Sequence, residues 1–340
     1  MRAVVYTEPG PSSVLRVVDR PIPEPGPGEV RVRLRRAGVN PTDWKARGGS
    51  TYGAMPYPEV TPGQDGAGDV DALGPGVSGL RVGDAVWLLL AQHGRAYGTA
   101  AEYVVLPAAR AVPLPGRSGT ADYDLGACLG VPAVTAHRAL TSGDGGDRLG
   151  PGAMAGQTVL VAGGAGAVGN AAIQLARWSG ATVITTVSGA AKAALATAAG
   201  AHHVVNYRSG DVAAEIGALA PAGVDLVVEV APAPNNDLDR AVLRDFGTVA
   251  IYANNGGDEL TLPVRATFAK NLRYQFVILY GLTPALLRAA ADDIGAALAD
   301  GALRVGEDAG LPLHRYPLAE TAAAHDAVQA GTVGKVLLEV

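Results

Sequence analysis

The sequence predicts an α/β protein of two domains, a doubly wound parallel sheet and a partly barrel-shaped β domain. Between residues 125 and 282, apolar runs with strand character alternate with runs at helical spacing, which is typical of a parallel sheet with right-handed crossovers. Before residue 125, short strand-like runs are separated by proline and glycine turns. A chain of 340 residues is long enough for two such domains.

The first 124 residues read as seven short strands. Turn signals such as Pro9-Gly10 and Pro75-Gly76 lie between them. The predicted strands are Ala3–Tyr6, Val14–Val18, Glu29–Ala37, Ala67–Ala72, Ala85–Leu90, Ala101–Val105 and Ala111–Pro113. Helical spacing begins at Tyr123, so we predict that the β domain ends near residue 124.

The second domain follows as an alternation of strands and helices. The predicted strands are Thr158–Ala162, Ala181–Val187, His203–Asn206, Val224–Val230, Gly247–Tyr252 and Tyr274–Leu279. The predicted helices are Val168–Trp178, Ala190–Ala199, Val212–Ala220 and Asp237–Leu243. We therefore predict a domain that covers residues 125–282 and is a doubly wound parallel sheet.

The last 58 residues, 283–340, contain an amphipathic helix and a few shorter pieces. The helix is Pro284–Ala299, and a strand at Gly334–Leu338 ends the chain. These pieces have too little apolar surface to fold alone. We expect residues 283–340 to pack on the β domain and to leave a cleft between the two lobes.

The turn after Thr158–Ala162 carries the clearest signal for a ligand. The spacing Gly164-x-Gly166-x-x-Gly169 follows a strand and precedes a helix, as in dinucleotide-binding domains. Glycines remove the Cβ atoms that would hold a pyrophosphate away from backbone N–H groups and the helix N-terminus. The alternative, a glycine-rich turn without a ligand, is disfavoured by this context. The predicted cofactor-binding residues of the turn are Gly163, Gly164, Gly166, Ala167, Val168 and Gly169.

The ends of the next two strands indicate which dinucleotide binds. A site for NAD usually has Asp or Glu about 20 residues after the glycines, where it accepts a hydrogen bond from the ribose 2′-OH. Here the second strand ends in Ser188, no carboxylate follows before Lys192, and Tyr207 follows the third strand. A hydroxyl, an ammonium and a phenol suit a 2′-phosphate, so we predict NADPH. The alternative is that Lys192 is a solvated helix residue and Tyr207 a packing residue.

Composition excludes several classes of partner. With 27 basic and 32 acidic residues the net charge is −5, which argues against nucleic acid or an anionic membrane as a partner. The first residues have no features of a secretory signal, and no apolar run has the length of a membrane span. The single cysteine, Cys128, excludes an internal disulfide, and we expect a cytoplasmic protein.

Eight segments together resemble the medium-chain dehydrogenase/reductase superfamily, in particular its zinc-free quinone oxidoreductase branch, which includes zeta-crystallin. The resemblance covers nearly the whole chain and implies a GroES-like β domain beside a Rossmann domain. Besides the glycine turn, it rests on Gly38–Gly49, Thr61–Val70, Val82–Trp87, Ala100–Val105, Gly130–Leu140, Gly200–Arg208 and Ala324–Leu338. The chain departs from the branch at Ala167, where glycine is usual, but alanine is small enough to admit a pyrophosphate.

The resemblance also addresses zinc. At the places where zinc-dependent relatives hold the catalytic metal, this chain has Asn40, Gln64-Asp65 and Val131. An amide and a valine cannot replace the Cys, His and carboxylate ligands that Zn²⁺ requires, so we expect no metal. Without a Lewis acid, the alkoxide formed from a simple ketone would be unsupported. A quinone or a conjugated carbonyl delocalises the incoming charge by itself, and is therefore the expected acceptor.

The resemblance assigns roles to residues of the β domain. It places Asn40 at the nicotinamide and Tyr52 at the substrate, and both side chains have the hydrogen-bonding groups for a catalytic role. Asp43, Trp44 and Gln64 are the predicted substrate-pocket residues. For Tyr52 a packing role remains open, and Asp43 is the better candidate for holding loop structure than for proton transfer.

Two further positions match the cofactor site of the family. Thr135 and Lys335 correspond to positions near the nicotinamide and its ribose, although Lys335 can equally be a solvated charge at a strand end. The strand Tyr274–Leu279 corresponds to a sheet edge that pairs with its copy in a second subunit, so we predict a homodimer.

These observations favour an NADPH-dependent quinone reductase. An enone, enal or enoyl reductase in a biosynthetic pathway is the alternative with the same chemistry. A non-catalytic NADPH-binding protein is the alternative of a different class.

Overall fold

The computed structural model describes residues 1–49, 55–114, 120–143 and 146–340. The chain divides into two compact units, one formed by residues 1–131 and 312–340 and the other by residues 132–311. Among the described residues, no helix has the length and hydropathy that crossing a bilayer requires.

The first unit begins with seven strands and two helices. In chain order these are β1 (Arg2–Val5), β2 (Arg16–Asp19), β3 (Glu29–Val39), α1 (Pro41–Arg47), β4 (Asp65–Leu73), β5 (Ala85–Leu88), β6 (Tyr103–Pro107), β7 (Ala111–Pro113) and α2 (Thr120–Gly126). A π-helical turn, Leu129–Ala133, leads into the second unit.

The second unit alternates strands and helices, and the chain then returns to the first. Its elements are α3 (Val134–Leu140), β8 (Thr158–Ala162), α4 (Ala167–Trp178), β9 (Thr182–Val187), α5 (Ala190–Ala198), β10 (His203–Asn206), α6 (Val212–Leu219), β11 (Val224–Glu229), α7 (Pro232–Val242), β12 (Leu243–Ile251), α8 (Val264–Ala269), β13 (Arg273–Phe276) and α9 (Pro284–Ala299). The returning elements are β14 (Leu313–Pro317), α10 (Thr321–Gln329) and β15 (Lys335–Glu339).

The main sheet of the first unit has seven strands in the order β14-β15-β3-β4-β5-β7, with β6 also paired to β3. Along β3, the side chains of Val30, Val32 and Leu34 alternate into the core, as a half-buried strand requires. Strand β15 runs antiparallel to β3, with Val336 opposite Val39. This register brings the start of β15 next to the end of β3, where the polar site residues lie.

The sheet of the second unit is entirely parallel, in the order β10-β9-β8-β11-β12-β13. Its central strand β8 is apolar throughout, and Val159, Leu160 and Val161 are buried because helices cover both faces of such a sheet. The direction of winding reverses between β8 and β11. The crevice at the carboxyl ends of these two strands is where open α/β sheets bind ligands.

Local sequence patterns located most of these elements. Strands β8 and β10 and helix α9 have the bounds that the sequence predicted. Helix α7 begins at Pro232, five residues before its predicted start at Asp237, because proline is well suited to the first position of a helix. The last strand of the parallel sheet is Arg273–Phe276 and not Tyr274–Leu279, since Leu279–Gly281 forms a 3-10 turn.

The second boundary between the units falls at residue 311 instead of residue 282. Helix α9 packs against α3, and its residues Ile294 and Ala297 are fully buried. The carboxylate of Asp293 reinforces this packing, with its Oδ2 2.8 Å from His137 Nε2 and 2.6 Å from the Leu149 N–H. Residues 283–311, which the sequence analysis assigned to the β domain, therefore belong to the unit with the parallel sheet.

Candidate functional site

The turn between β8 and α4 is built from glycines for reasons internal to the protein. Gly163 has a φ of +70°, a backbone conformation that other residues rarely adopt. A Cβ on Gly164 would lie 2.1 Å from Thr185 Oγ1, and one on Gly169 would lie 2.5 Å from the Gly163 carbonyl oxygen. These three positions require glycine whether or not a ligand is present.

Gly166 differs from the other glycines of the turn. It has an extended backbone, with φ of −81° and ψ of 163°, and immediately precedes α4. A Cβ there would come no closer than 3.4 Å to any other atom, its nearest neighbour being the Gly163 carbonyl oxygen. The protein fold therefore has room for a larger residue at this exposed position. The open space lies at a helix N-terminus, whose first N–H groups have no partner within the helix, and such positions are where proteins bind phosphate groups.

The ends of β9 and β10 carry the residues predicted to select the cofactor. Asn206 of β10 pairs with Val187 of β9, and the Tyr207 N–H donates to the Val187 carbonyl oxygen at 3.0 Å. Ser188 follows β9 and is half-buried, whereas the Tyr207 side chain is exposed. Lys192 lies in the first turn of α5, and its side chain is half-buried. The structure thus places a hydroxyl and a phenol at adjacent strand ends, with an ammonium on the helix that follows β9.

A second group of site residues forms a buried polar network in the first unit. Asn40 Nδ2 donates to Asp65 Oδ1 at 2.7 Å, and Lys335 Nζ donates to Asn40 Oδ1 at 2.6 Å. Lys335 Nζ also lies 3.3 Å from Asp65 Oδ2. All three residues are almost completely buried, with Asn40 at 3% and Lys335 at 2% exposure. A buried ion pair of this kind is stable only when hydrogen bonds satisfy the remaining groups, as they do here.

Asp43 is attached to the same network. The Asn40 N–H donates to Asp43 Oδ2 at 2.7 Å, so this carboxylate satisfies a backbone group at the start of α1. Burial, and next the negative charge of Asp65, raise the pKa of Asp43 to about 7. Asp43 is therefore about half protonated near neutral pH, and its observed contact is structural.

The other predicted pocket residues are distributed more widely. Gln64 Nε2 donates to Gln92 Oε1 at 2.7 Å, whereas its own Oε1 is buried without a partner among the described residues. Trp44 lines a separate cavity of about 640 Å³ together with Arg47 and Asp326, and the described lining of that cavity includes neither Asn40 nor Gln64.

Two predicted residues remain. Thr135 is buried in α3, within the second unit. Tyr52 lies outside the described residues.

The positions that correspond to a catalytic zinc site hold nitrogen donors around one carboxylate. Asp65 accepts from Asn40 Nδ2 through Oδ1, and its Oδ2 faces Lys335 Nζ and the Val131 N–H, each at 3.3 Å. An ammonium and an amide already occupy this carboxylate. The protonated amine has no lone pair to offer a metal, and the amide oxygen of Asn40 already accepts from Lys335 Nζ. Across the described parts of the chain, no three His, Cys, Asp or Glu side chains are arranged to hold a metal ion.

Sequence reasoning missed the central position of Asp65 and the role of Gln92. It treated Asp65 only as part of a replaced zinc motif, and Lys335 as a cofactor residue or a solvated charge. The signal available in the sequence was a pair of opposite charges on two strands, Asp65 on β4 and Lys335 on β15. That pairing cannot be recognised until β15 is known to join β3.

Comparisons with known proteins cover both units. A family model described as "Alcohol dehydrogenase GroES-like domain" matches residues 26–116, and one described as "Zinc-binding dehydrogenase" matches residues 167–294. The rat protein "Quinone oxidoreductase" is 31% identical over 344 residues, which cover 99% of this chain and 97% of that protein.

Two solved structures superimpose on the whole chain, and each match covers 100% of both chains. One is described as an NAD-dependent alcohol dehydrogenase, with 32% identity and a TM-score of 0.86. The other is a mycobacterial protein in complex with NADPH, with 31% identity and a TM-score of 0.82.

Proposed function

The chain belongs to the medium-chain dehydrogenase/reductase superfamily, in its quinone oxidoreductase branch, and from that premise we propose that it reduces a quinone with NADPH and without a metal ion. As an enzyme it is an NADPH oxidoreductase. The choice of a quinone as acceptor and the independence from zinc are the parts that we propose.

The space at Gly166 is the observation that carries the cofactor assignment. The fold does not need glycine at this position, but a pyrophosphate that approaches the N-terminus of α4 does. We propose that the backbone N–H groups of Ala167–Gly169, in the first turn of α4, bind the pyrophosphate, whereas the Gly166 N–H donates to the Gly163 carbonyl oxygen at 3.0 Å. The predicted 2′-phosphate site comprises Ser188, Lys192 and Tyr207, none of which is a carboxylate that would repel it.

NADPH, when bound, supplies the hydride. The chain itself supplies the orientation of hydrogen-bonding groups. Lys335 and Asp65 bind opposite ends of the Asn40 amide, so the amide has one defined orientation and Nδ2 retains one N–H that the network does not use. We propose that this N–H is offered to an oxygen of the nicotinamide or of the acceptor, and that Lys335 acts on the reaction through Asn40.

The remaining pocket residues are proposed from the burial of Gln64 and from the family resemblance. The buried Gln64 Oε1 is an acceptor without a partner among the described residues, which suits a substrate-pocket position. For Tyr52, Asp43, Trp44 and Thr135, the family resemblance supports the proposed positions. Of these, we propose that only Tyr52 has a catalytic role, as a phenol donor to the reduced oxygen.

The nitrogen donors around Asp65 support the metal-free reaction. With an ammonium and an amide where zinc-dependent relatives have metal ligands, the site has no Lewis acid to stabilise an isolated alkoxide. Quinones spread the charge that hydride delivers over two oxygens and a ring. Conjugated enones do so over one oxygen and two carbons, and they are therefore the alternative acceptors.

A comparison of acceptors tests the proposal. Purified protein is assayed for NADPH oxidation with 9,10-phenanthrenequinone, with a conjugated enone and with a saturated ketone of similar size. We expect the highest kcat/KM with the quinone and no turnover of the saturated ketone. Turnover of the enone alone would assign the chain to the double-bond reductases. NADPH binding without turnover of any acceptor would favour the non-catalytic alternative.

We also propose a homodimer that forms through β13. This strand is at the edge of the parallel sheet, and the nearby side chains of Phe276 and Ile278 are more than half exposed. An unpaired strand edge with exposed apolar side chains is suited to pairing with its copy about a two-fold axis. Light scattering after size exclusion measures the mass directly, and a monomeric mass would contradict the dimer.

A further inference from the structure

Two buried acidic residues in the second unit have no role in the proposed reaction. Glu229 ends β11 and Asp239 lies on α7, and their exposures are 0% and 1%. Glu229 accepts hydrogen bonds from the Ala231 N–H and from Asn235 Nδ2, the latter at 3.1 Å. Neither oxygen of Asp239 receives a hydrogen bond from a donor among the described residues.

A shared proton explains this arrangement. Asp239 follows Asn235 by one turn of α7, and Asn235 Nδ2 donates to Glu229, so the two carboxyls lie on the same side of the helix. If Asp239 were ionised, a buried carboxylate without donors would lie beside a second carboxylate, which carries a large free-energy cost. If Asp239 is protonated, its O–H becomes the donor and Glu229 the acceptor, so one oxygen of Asp239 gains a partner and the buried site carries one charge instead of two. Burial raises the pKa of both carboxyls, and the charge of Glu229 raises that of Asp239 further.

The pair lies beside the glycine turn. A Cβ on Gly163 would be 3.3 Å from Val230 Cγ1, so the residue after Glu229 adjoins the first glycine of the turn. Strand β11 is hydrogen-bonded to β8, whose end leads into that turn. Through Ala231 and Asn235, Glu229 holds the chain that enters α7.

We propose that Asp239 is a positioning residue: its protonated carboxyl donates to Glu229, and the pair holds residues 229–235 against the glycine turn that binds the cofactor. Loss of the shared proton places two negative charges in one buried site. This weakens the fold and, with it, the affinity for NADPH. The part that concerns NADPH rests on the proposed function, whereas the part that concerns the shared proton does not.

Among the described residues, the other titratable groups around the pair are two tyrosines and an ion pair. Tyr252 follows β12 and Tyr274 lies on β13, and burial raises the pKa of each phenol, for Tyr274 to about 12. On α7 itself, Arg240 forms an ion pair with Asp237, whose side chain is 92% exposed.

The elements packed against α7 contribute few other charges. Helix α6 has one charged residue, Glu215, which is exposed. Strand β12 has Arg244 and Asp245, and Arg244 is paired with Asp225 at the opposite end of β11. On these two elements, both fully described, there is no histidine. A pH dependence of stability that Asp239→Asn removes is therefore assigned to the carboxyl pair.

Three variants separate the proton from the shape of the side chain. Asp239→Asn keeps a hydrogen-bond donor toward Glu229 but cannot ionise. Asp239→Leu has no donor and cannot ionise. Asp237→Asn makes the same change from carboxyl to amide at an exposed position of the same helix. For each variant, urea unfolding of the cofactor-free protein is measured from pH 6 to 9.5. The Kd for NADPH is measured by fluorescence from pH 7 to 9.5, where the nucleotide phosphate is already ionised.

The raised pKa values set the sign of the effect. Stability from the shared proton is present at low pH and is lost as pH rises through the folded pKa. We expect the folded-to-unfolded ratio of Asp239→Asn to exceed that of the native protein about tenfold at pH 9.5. Its Kd for NADPH should vary less with pH than that of the native protein. Asp237→Asn should match the native protein throughout.

Asp239→Leu decides whether the donor matters. We expect it to be less stable than Asp239→Asn and to bind NADPH more weakly at every pH. The proposal of a shared proton is overturned if the two variants have equal stability and equal NADPH affinity. It is also overturned if the stability of Asp239→Asn varies with pH as steeply as that of the native protein. If no protein binds NADPH, the proposed function fails, and the unfolding data alone still decide the proposal on the proton.

Discussion

Lys335 Nζ donates a 2.6 Å hydrogen bond to Asn40 Oδ1, although 295 positions of the sequence separate the two residues. Both side chains are buried, and both also contact the carboxylate of Asp65. The pairing of β15 with β3 creates this contact, because Val336 lies opposite Val39. A protein ammonium is thus held against a buried carboxylate inside the first unit.

The first prediction concerns this ammonium. Lys335→Met removes the partner of a fully buried carboxylate and leaves Asp65 as an unpaired buried charge. We expect the free energy of unfolding to fall by about 3–5 kcal/mol. Urea denaturation at pH 7 measures the loss.

A double variant provides the control. Lys335→Met combined with Asp65→Asn removes both charges, so part of the lost stability should return. If Lys335→Met alone unfolds at the same urea concentration as the native protein, Asp65 does not depend on the ammonium.

The second prediction distinguishes a glycine that the fold requires from one that the ligand requires. Gly166→Ala adds a Cβ with no contact shorter than 3.4 Å. We expect native stability and a Kd for NADPH that is raised about tenfold or more, because the methyl group projects toward the pyrophosphate. Thermal unfolding and fluorescence titration measure the two quantities.

Gly169→Ala is the matched comparison for Gly166→Ala. Its Cβ would lie 2.5 Å from the Gly163 carbonyl oxygen, so the fold itself should be destabilised even without cofactor. Native NADPH affinity in Gly166→Ala would mean that the pyrophosphate does not lie against this turn.

The third prediction concerns the choice between cofactors. Lys192→Ala removes one charged hydrogen bond to the 2′-phosphate, a group that NADH lacks. We expect the variant to weaken the binding of NADPH by about 1.5–3 kcal/mol and to leave the binding of NADH nearly unchanged. Arg288→Ala, which removes an exposed positive charge from α9, should affect neither nucleotide. Equal losses of affinity for NADPH and for NADH would mean that the 2′-phosphate does not bind at Lys192.

The fourth prediction follows from the raised pKa of Asp43. Its folded pKa of about 7 exceeds the ordinary value of 3.8, so the protonated form is favoured in the folded protein. The resulting stability is fully present below about pH 4 and is lost as pH rises to about 7, by at most about 4 kcal/mol. Asp43→Asn should flatten this part of the pH profile of urea unfolding. An unchanged slope between pH 4 and 7 would contradict the raised pKa.

The sequence located features that depend on local patterns. The glycine spacing, the bounds of β8, β10 and α9, and the absence of a carboxylate after β9 could all be read from neighbouring residues. Asp43 at the start of α1 also follows the local pattern of a residue that caps a helix.

Features that depend on distant contacts could not be predicted. The burial of Lys335 requires the pairing of β15 with β3, and the assignment of α9 to the second unit requires its contact with α3. Trp44 lines the cavity that includes Arg47 and Asp326, and its place in the substrate pocket, which the family resemblance implied, stays a prediction. The cytoplasmic location stays a prediction.

The most direct test of the central claim is to measure activity and metal content in one sample. The protein is dialysed against a strong chelator, its zinc content is determined by mass spectrometry, and kcat/KM for NADPH-dependent reduction of 9,10-phenanthrenequinone is measured before and after dialysis. We predict zinc well below one atom per chain and an unchanged kcat/KM. Activity that is lost with the metal and restored by stoichiometric Zn²⁺ would contradict the metal-free reaction.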